Sequence, residues 1–256
     1  MLPLHNRLDD RVKTVHFTWK DNDPPKDIFP PWWRQSWLAA GWKARLWTDR
    51  DIEDFSETQP PEIRSMMRGY PCGIMRSDAF RYLILKRLGG LYVDLDFVNL
   101  SQSDWIHEID RFACADQGDG QLCNAFLWAP QPNDPFFDGI EEALLSRAGE
   151  ANPVSATGPR FLTAHAAGRN FHQIPGKWVY PVAWDDPEEI ARARTLGSDA
   201  LKHRYPESRA IHIWSSSWFS QCEAPMGVTN VGAVEGLSAG GSRFPSAMGT
   251  KCGRAA

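Results

Sequence analysis

No Cys-x-x-Cys pair occurs in this chain, and its five cysteines, Cys72, Cys114, Cys123, Cys222 and Cys252, are odd in number and widely scattered. That spacing excludes the common zinc and dithiol motifs and reads as free thiols in a reducing compartment. Long apolar runs are missing as well: no stretch approaches the roughly 20 residues that a membrane span needs. The opening "MLPLHNRLDDRVK" turns polar too early for a secretory signal. A basic excess is also absent. With a formal net charge of -4, no surface is set up to track phosphates, so nucleic acid is not an expected partner. These absences predict a soluble, cytoplasmic chain that at most rests peripherally on the inner face of a membrane.

What is present is enough apolar material for one substantial core, since 42% of the 256 residues are hydrophobic. One large domain over residues 1–225 is expected, followed by a flexible glycine-, serine- and alanine-rich tail over 226–256. Tryptophan is over-supplied, and six of the twelve fall early, at Trp19, Trp32, Trp33, Trp37, Trp42 and Trp47. Most are expected in the core, as large apolar bodies whose indole N–H can find a partner.

Local patterns alternate between strand and helix. "RVKTVHFTWK" reads as a first strand, Trp32 to Ala40 as a helix stopped at Gly41, and "KARLWT" as a second strand. Thr48 and Asp49 then cap a helix at "DRDIEDF". From Ile74 to Leu88 the rows Met75, Ala79, Leu83 and Phe80, Ile84, Leu88 predict a helix, and Gly89-Gly90 predicts its stop. "LYVDLDFV", "FACADQ", "NAFLWAP", "WVYPVAW" and "RAIHIW" read as later strands, with helices over 135–147 and at "DPEEIARAR". Such alternation predicts an α/β fold with helices on both faces of a sheet.

Two aspartates interrupt the apolar run of "GGLYVDLDFVNL". On a strand, residues i and i+2 share a face, so Asp94 and Asp96 would stand side by side with Leu95 pointing away. Like charges that close repel unless a cation intervenes. Hard oxygen ligands suit Mg²⁺ or Mn²⁺, which are commonly held by one or two carboxylates plus substrate phosphates. An isolated D-x-D is more often the start of a solvated loop. Here it follows an apolar strand and a glycine-closed helix, the place where open α/β sheets gather ligands.

"RSDAFRYLILKRLGGLYVDLDF" resembles the D-x-D block of sugar-nucleotide-dependent glycosyltransferases with the GT-A fold, in particular glycosyltransferase family 32 and, more remotely, the clostridial glucosylating toxins. The pattern S-D-x-x-R-Y-x-x-L followed by G-G-x-Y-x-D-x-D is complete, and "VHFTWK", "NAFLWAPQPNDPFF", "ATGPRFLT" and "IHIWSSSW" extend it in order. The resemblance implies a Rossmann-like, mixed and mostly parallel sheet, and a hexosyltransferase dependent on Mn²⁺ or Mg²⁺. Its partners would be a nucleotide-diphosphate sugar donor and a glycan or lipid-linked acceptor, as in polysaccharide biosynthesis.

The resemblance also implies roles for single residues. Asp96 would bind the metal directly, and Asp94 the donor ribose and a metal-bound water. Asp78 and Arg81 would hold the donor sugar; standing alone, that i, i+3 pair would be an ordinary surface salt bridge. Tyr92 would lie close to the donor, and Trp19 would stack on the base. His212, Ser216, Ser217 and Trp218 would close over the diphosphate, with His212 completing the metal shell. Family 32 often has two adjacent histidines, whereas here His212 precedes Ile213. Asn124 and Thr157–Pro159 are weaker contact candidates, having ordinary turn and capping uses as well. Retention of anomeric configuration is also implied by the resemblance.

Two alternatives stand beside this reading. "LYVDLDFV" also fits a haloacid-dehalogenase-like phosphatase with Asp94 as nucleophile, although the later lysine and acidic blocks of that superfamily are not convincing here. A non-catalytic sugar-nucleotide-binding module is the other, opposed by the intact set Asp78, Arg81, Asp94 and Asp96.

Overall fold

The computed structural model describes residues 13–101 and 104–215; Ser216, Ser217, Trp218 and the expected 226–256 tail lie outside them. The described chain opens with β1 (Thr14–Thr18), α1 (Pro31–Ala39) and β2 (Lys43–Trp47). It then runs through α2 (Asp49–Glu57), α3 (Pro61–Gly69) and α4 (Gly73–Leu88). β3 (Gly90–Val93), β4 (Phe97–Asn99), β5 (Ala113–Asp116) and β6 (Leu122–Ala129) follow. After α5 (Ile140–Ser146), α6 (Pro153–Ala156) and α7 (Pro159–Ala166) comes β7 (His172–Ile174). The described chain ends with α8 (Gly176–Val179), α9 (Pro187–Thr195), α10 (Ser198–Arg204) and β8 (Ala210–His212).

Six strands form the main sheet in the order β2-β1-β3-β6-β5-β7. β6 is antiparallel to both its neighbours and the other pairings are parallel, which gives the mixed, mostly parallel sheet expected. One face packs Val15, Phe17, Leu91 and Val93 with Trp33 and Trp37 of α1. The other packs Tyr92 and Leu127 with Phe80, Ile84 and their neighbours on α4. β4 and β8 form a separate antiparallel pair.

Local chemistry explains most boundaries. α2 starts in a reciprocal capping box: Asp51 N–H donates to Thr48 Oγ1 (3.2 Å) and Thr48 N–H donates to Asp51 Oδ2 (2.8 Å). The Gly89-Gly90 stop is forced by space as much as by conformation. A Cβ on Gly89 (φ +65°) would lie 2.8 Å from the Gln131 backbone, and one on Gly90 (φ +97°) 2.7 Å from Thr14 O. Beside them, buried His16 donates Nε2–H to Gly89 O (3.1 Å) and accepts Trp47 Nε1–H at Nδ1 (3.2 Å). Burial lowers its pKa to about 4, so it is a neutral structural imidazole.

Four expectations are corrected. "LYVDLDFV" is not one strand but β3, a turn and β4. The helix over 135–147 is broken at Gly139 (φ +70°) into a 3-10 turn at Pro135–Phe137 and α5. "WVYPVAW" supplies the end of α8 and irregular chain, because Pro181 has no N–H to give a ladder; β7 fills the place beside β5. Cys114 and Cys123 are free and buried, as read, but Cys72 is disulfide-bonded, which the scattered spacing of the cysteines does not reveal. Among the described residues no helix is long and apolar enough to cross a membrane.

Candidate active site

The sheet sets the location. β1 and β3 run parallel and end together, and β6 starts at the same edge, so Thr18, Asp94 and Asn124 meet there. Asp94 N–H makes a further sheet bond to Ala125 O (3.1 Å), and Phe97 N–H then closes a turn onto Asp94 O (3.1 Å). β4 leaves the sheet to pair with β8, where Phe97 lies opposite His212. The two aspartates therefore meet through a turn, and not as i, i+2 neighbours on one pleated face. Asp94 belongs to the main sheet and Asp96 to the β4–β8 pair.

Asp96 is buried and accepts a hydrogen bond at each carboxylate oxygen and at its carbonyl. Its Oδ1 accepts from His212 Nε2 (3.0 Å), its Oδ2 from Ser215 N–H (2.6 Å), and its carbonyl from Ile213 N–H (3.0 Å). Burial alone would raise its pKa; His212 and the Ser215 N–H overcome that and hold the carboxyl well below its usual range. The His212 ring lies flat on Phe97, with centroids 4.6 Å apart and planes 5° from parallel. Trp214 has φ +51°, a costly conformation for a bulky residue, just before the Ser215 N–H that reaches Asp96.

Asp94 is more open, with a side chain 33% exposed and 3.3 Å from Arg81 Nη1. Its Oδ1 accepts the Tyr92 hydroxyl proton (3.0 Å). Burial and the Asp96 charge push its pKa up, against the pull of Arg81.

The Asp78–Arg81 pair is no surface salt bridge. Its groups lie 2.8 Å apart with side chains 6% and 2% exposed. Arg81 also donates to Asn124 O (2.7 Å) and lies over the Tyr92 ring, 4.4 Å from its centroid. Thr157 Oγ1 donates to Asp78 Oδ2 (3.2 Å). Burial raises the Asp78 pKa to about 6, with Arg81 opposing and Asp94 reinforcing the shift. Such a pair fixes geometry more than it stabilises, because desolvation offsets most of its attraction.

Asp94, Asp96 and His212 each offer a ligand atom, and the three atoms lie within 4.8 Å of one another. Two carboxylates and one imidazole fit a small divalent ion; oxygen donors suit Mg²⁺ and Mn²⁺, and the nitrogen shifts the match toward Mn²⁺. Trp19 follows β1, half-buried, with its ring edge-on to Phe29 at 4.8 Å and its Nε1 without a hydrogen-bond partner among the described residues. Tyr92 is fully buried and reaches the site through Asp94, and the Asn124 contact to Arg81 is made by its carbonyl. Ser216, Ser217 and Trp218 lie outside the described residues. Reading the sequence missed Ser77, Thr18, Trp214 and Ser215; only adjacency to Asp78, Trp19 and the "SSSW" block could have flagged them.

Residues 16–113 match a family described as "Glycosyltransferase sugar-binding region containing DXD motif", and Asp94-Leu95-Asp96 lies within that region. The resemblance to D-x-D glycosyltransferases is thereby borne out. The chain is 36% identical over 93 residues to inositol phosphoceramide mannosyltransferase 3 of Schizosaccharomyces pombe, covering 33% of this chain and 24% of that one. It is 36% identical over 84 residues to mannosyl phosphorylinositol ceramide synthase CSH1 of Saccharomyces cerevisiae, covering 33% and 22%. The chain thus spans about a quarter of the length of these relatives. Among solved structures it is similar to the PaToxG glycosyltransferase, with a TM-score of 0.46, 16% identity, and 76% and 78% of the two chains covered.

Proposed function

We propose that this chain is a metal-dependent glycosyltransferase of GT-A architecture. It moves a hexose from a nucleotide-diphosphate sugar to a hydroxyl of a glycan or lipid-linked acceptor, with retention. The observation that carries this reading is the convergence of Asp94, Asp96 and His212 within 4.8 Å, beside the buried Asp78–Arg81 pair. The mannosyltransferase names of the relatives support mannose as the hexose.

In this reading Asp94, Asp96 and His212 hold a Mn²⁺ or Mg²⁺ ion, which supplies Lewis-acid stabilisation of the departing diphosphate. Asp78 and Arg81 orient the donor sugar: Arg81 is fixed by Asp78, Asp94 and Asn124 O, so its direction is set before the donor arrives. Trp19 offers a ring for the base. Among the described residues the cation paired with Asp94 is Arg81, and no lysine reaches it, which gives the phosphatase alternative no support.

The test is a thermal-shift screen of GDP-, UDP- and CMP-sugars with and without Mn²⁺, followed by sugar transfer from the best binder. A ligand that binds only the folded chain raises its stability by mass action. Metal-dependent stabilisation by one nucleotide family and transfer of its sugar are expected. No stabilisation and no transfer with any donor would overturn the proposal, and phosphate release from a simple phosphomonoester would replace it with the phosphatase.

A further inference from the structure

Three hydroxyls lie in series behind Asp94. Ser77 Oγ is 2.8 Å from Thr18 Oγ1, Thr18 Oγ1 is 2.8 Å from Tyr92 Oη, and Tyr92 Oη is 3.0 Å from Asp94 Oδ1. They come from α4, β1 and β3, and the sequence separations are 59 and 74 residues for the first two contacts. Proton bookkeeping fixes the direction of the series. A carboxylate only accepts, so Tyr92 spends its one proton on Asp94. Thr18 must then donate to the Tyr92 oxygen, and Ser77 to Thr18. Each hydroxyl polarises the next, so the last donor is strengthened by the two behind it.

From this we infer that Ser77, Thr18 and Tyr92 form a one-way hydroxyl relay that fixes the rotation of the Asp94 carboxylate, and that they are positioning residues for the reaction proposed above. The inference rests on that reading of the site. Tyr92 is fully buried beneath the Arg81 guanidinium, so its route to the ligands is through Asp94. With Oδ1 held by Tyr92 and Arg81, the rotation about the carboxyl bond is set, and so is the direction in which the partly exposed group meets metal and donor.

The relay also ties Asp94 to both donor-holding elements. Ser77 immediately precedes Asp78, and Thr18 immediately precedes Trp19. A shift of α4 or of the end of β1 is therefore transmitted to the Asp94 carboxylate through hydrogen bonds 2.8–3.0 Å long. Supporting hydrogen bonds of this kind tune a metal site, and their loss typically lowers affinity or activity about 10–100-fold.

The test uses the full chain carrying Tyr92→Phe, Thr18→Val, Thr18→Ser or both Tyr92→Phe and Thr18→Val. Phenylalanine keeps the ring under Arg81, valine keeps the shape of threonine, and serine keeps its hydroxyl. Each is read by Mn²⁺ titration with electron paramagnetic resonance, by kcat and KM, and by Tm. Tyr92→Phe and Thr18→Val are expected to weaken Mn²⁺ binding and lower kcat about 10-fold or more, Thr18→Ser to restore both, and the double variant to match Tyr92→Phe alone. A merely structural role would lower Tm and leave Mn²⁺ affinity unchanged. Wild-type Mn²⁺ affinity and kcat in both single variants, or fully additive losses in the double, would overturn the relay while leaving the proposed function intact. A wild-type chain without metal-dependent turnover would instead overturn the function.

Discussion

The two halves of the candidate site are built in opposite ways. On the α4–β3 side, Asp78, Arg81, Tyr92 and Asp94 come from one short stretch, and both carboxyl pKa values are pushed up by burial. On the β4–β8 side, Asp96 draws His212 and the Ser215 N–H from 116 and 119 residues away, and its pKa is held down. Two aspartates separated by one residue thus face different tasks: one partly open and held from behind, the other buried and hydrogen-bonded at both carboxylate oxygens. Environment, and not residue type, sets the direction in which each pKa moves.

The largest expected effect strikes the β4–β8 half. Asp96→Asn removes a candidate ligand and the charge facing His212, and sugar transfer should fall at least about 10²-fold, given the several kcal/mol a bound metal contributes. Activity within a few-fold of wild type would place the metal elsewhere. On the other half, Arg81→Met leaves Asp78 and Asp94 without their shared cation. Loss of one member of a buried pair costs about 3–5 kcal/mol, readable as a drop in denaturant midpoint; an unchanged midpoint would show that the pair is not buried in solution.

Trp19→Ala sharpens the contrast between binding and scaffold. Base–aromatic stacking contributes about 1–3 kcal/mol, so donor KM should rise about 5- to 150-fold, with a smaller change in stability. A loss of stability with unchanged KM would return Trp19 to the core.

The smallest effect is a change of slope. Asp78 has a folded pKa raised from 3.8 to about 6, so between those values the folded chain holds more of its proton than the unfolded chain does. Its contribution to stability is complete below the unfolded pKa and is lost as pH rises toward about 6. Asp96 has the opposite sign: its contribution is present above the unfolded pKa and is lost as pH falls below it. His16, with its pKa lowered from 6.5 to about 4, also favours stability at the higher end of the Asp78 window, so the measurement is the difference between Asp78→Asn and wild type. The Asp78→Asn chain should lose less stability than wild type as pH rises from about 4 to 6; parallel curves would mean that Asp78 titrates normally.

Much of the α4–β3 half is legible without coordinates. The apolar rows of α4, the glycine stop and the apolar run of β3 are local signals, and they place Asp78, Arg81 and Asp94 near one another before any long-range contact is known. The capping box of α2 is equally local. The turn at Leu95-Asp96 is not legible, because "LYVDLDFV" has strand propensity throughout, and only pairing of β4 with β8 pulls the chain out of the sheet. Pro181 could have warned against a strand at "WVYPVAW", whereas the breadth of burial around α4 could not be read from two apolar rows.

The sequence by itself determined the capping box of α2, α4 with its glycine stop, the D-x-D, and the aspartate and arginine that α4 carries three residues apart, because these depend on periodicity, turn chemistry and nearest-neighbour spacing. The tertiary structure alone decided that Asp78–Arg81 is buried, that Asp96 is answered by His212 and Ser215, and that Ser77, Thr18 and Tyr92 line up behind Asp94. The physical reason is that burial and hydrogen-bond partnership belong to pairs of residues far apart in the chain, joined only when the sheet and the β4–β8 pair have formed.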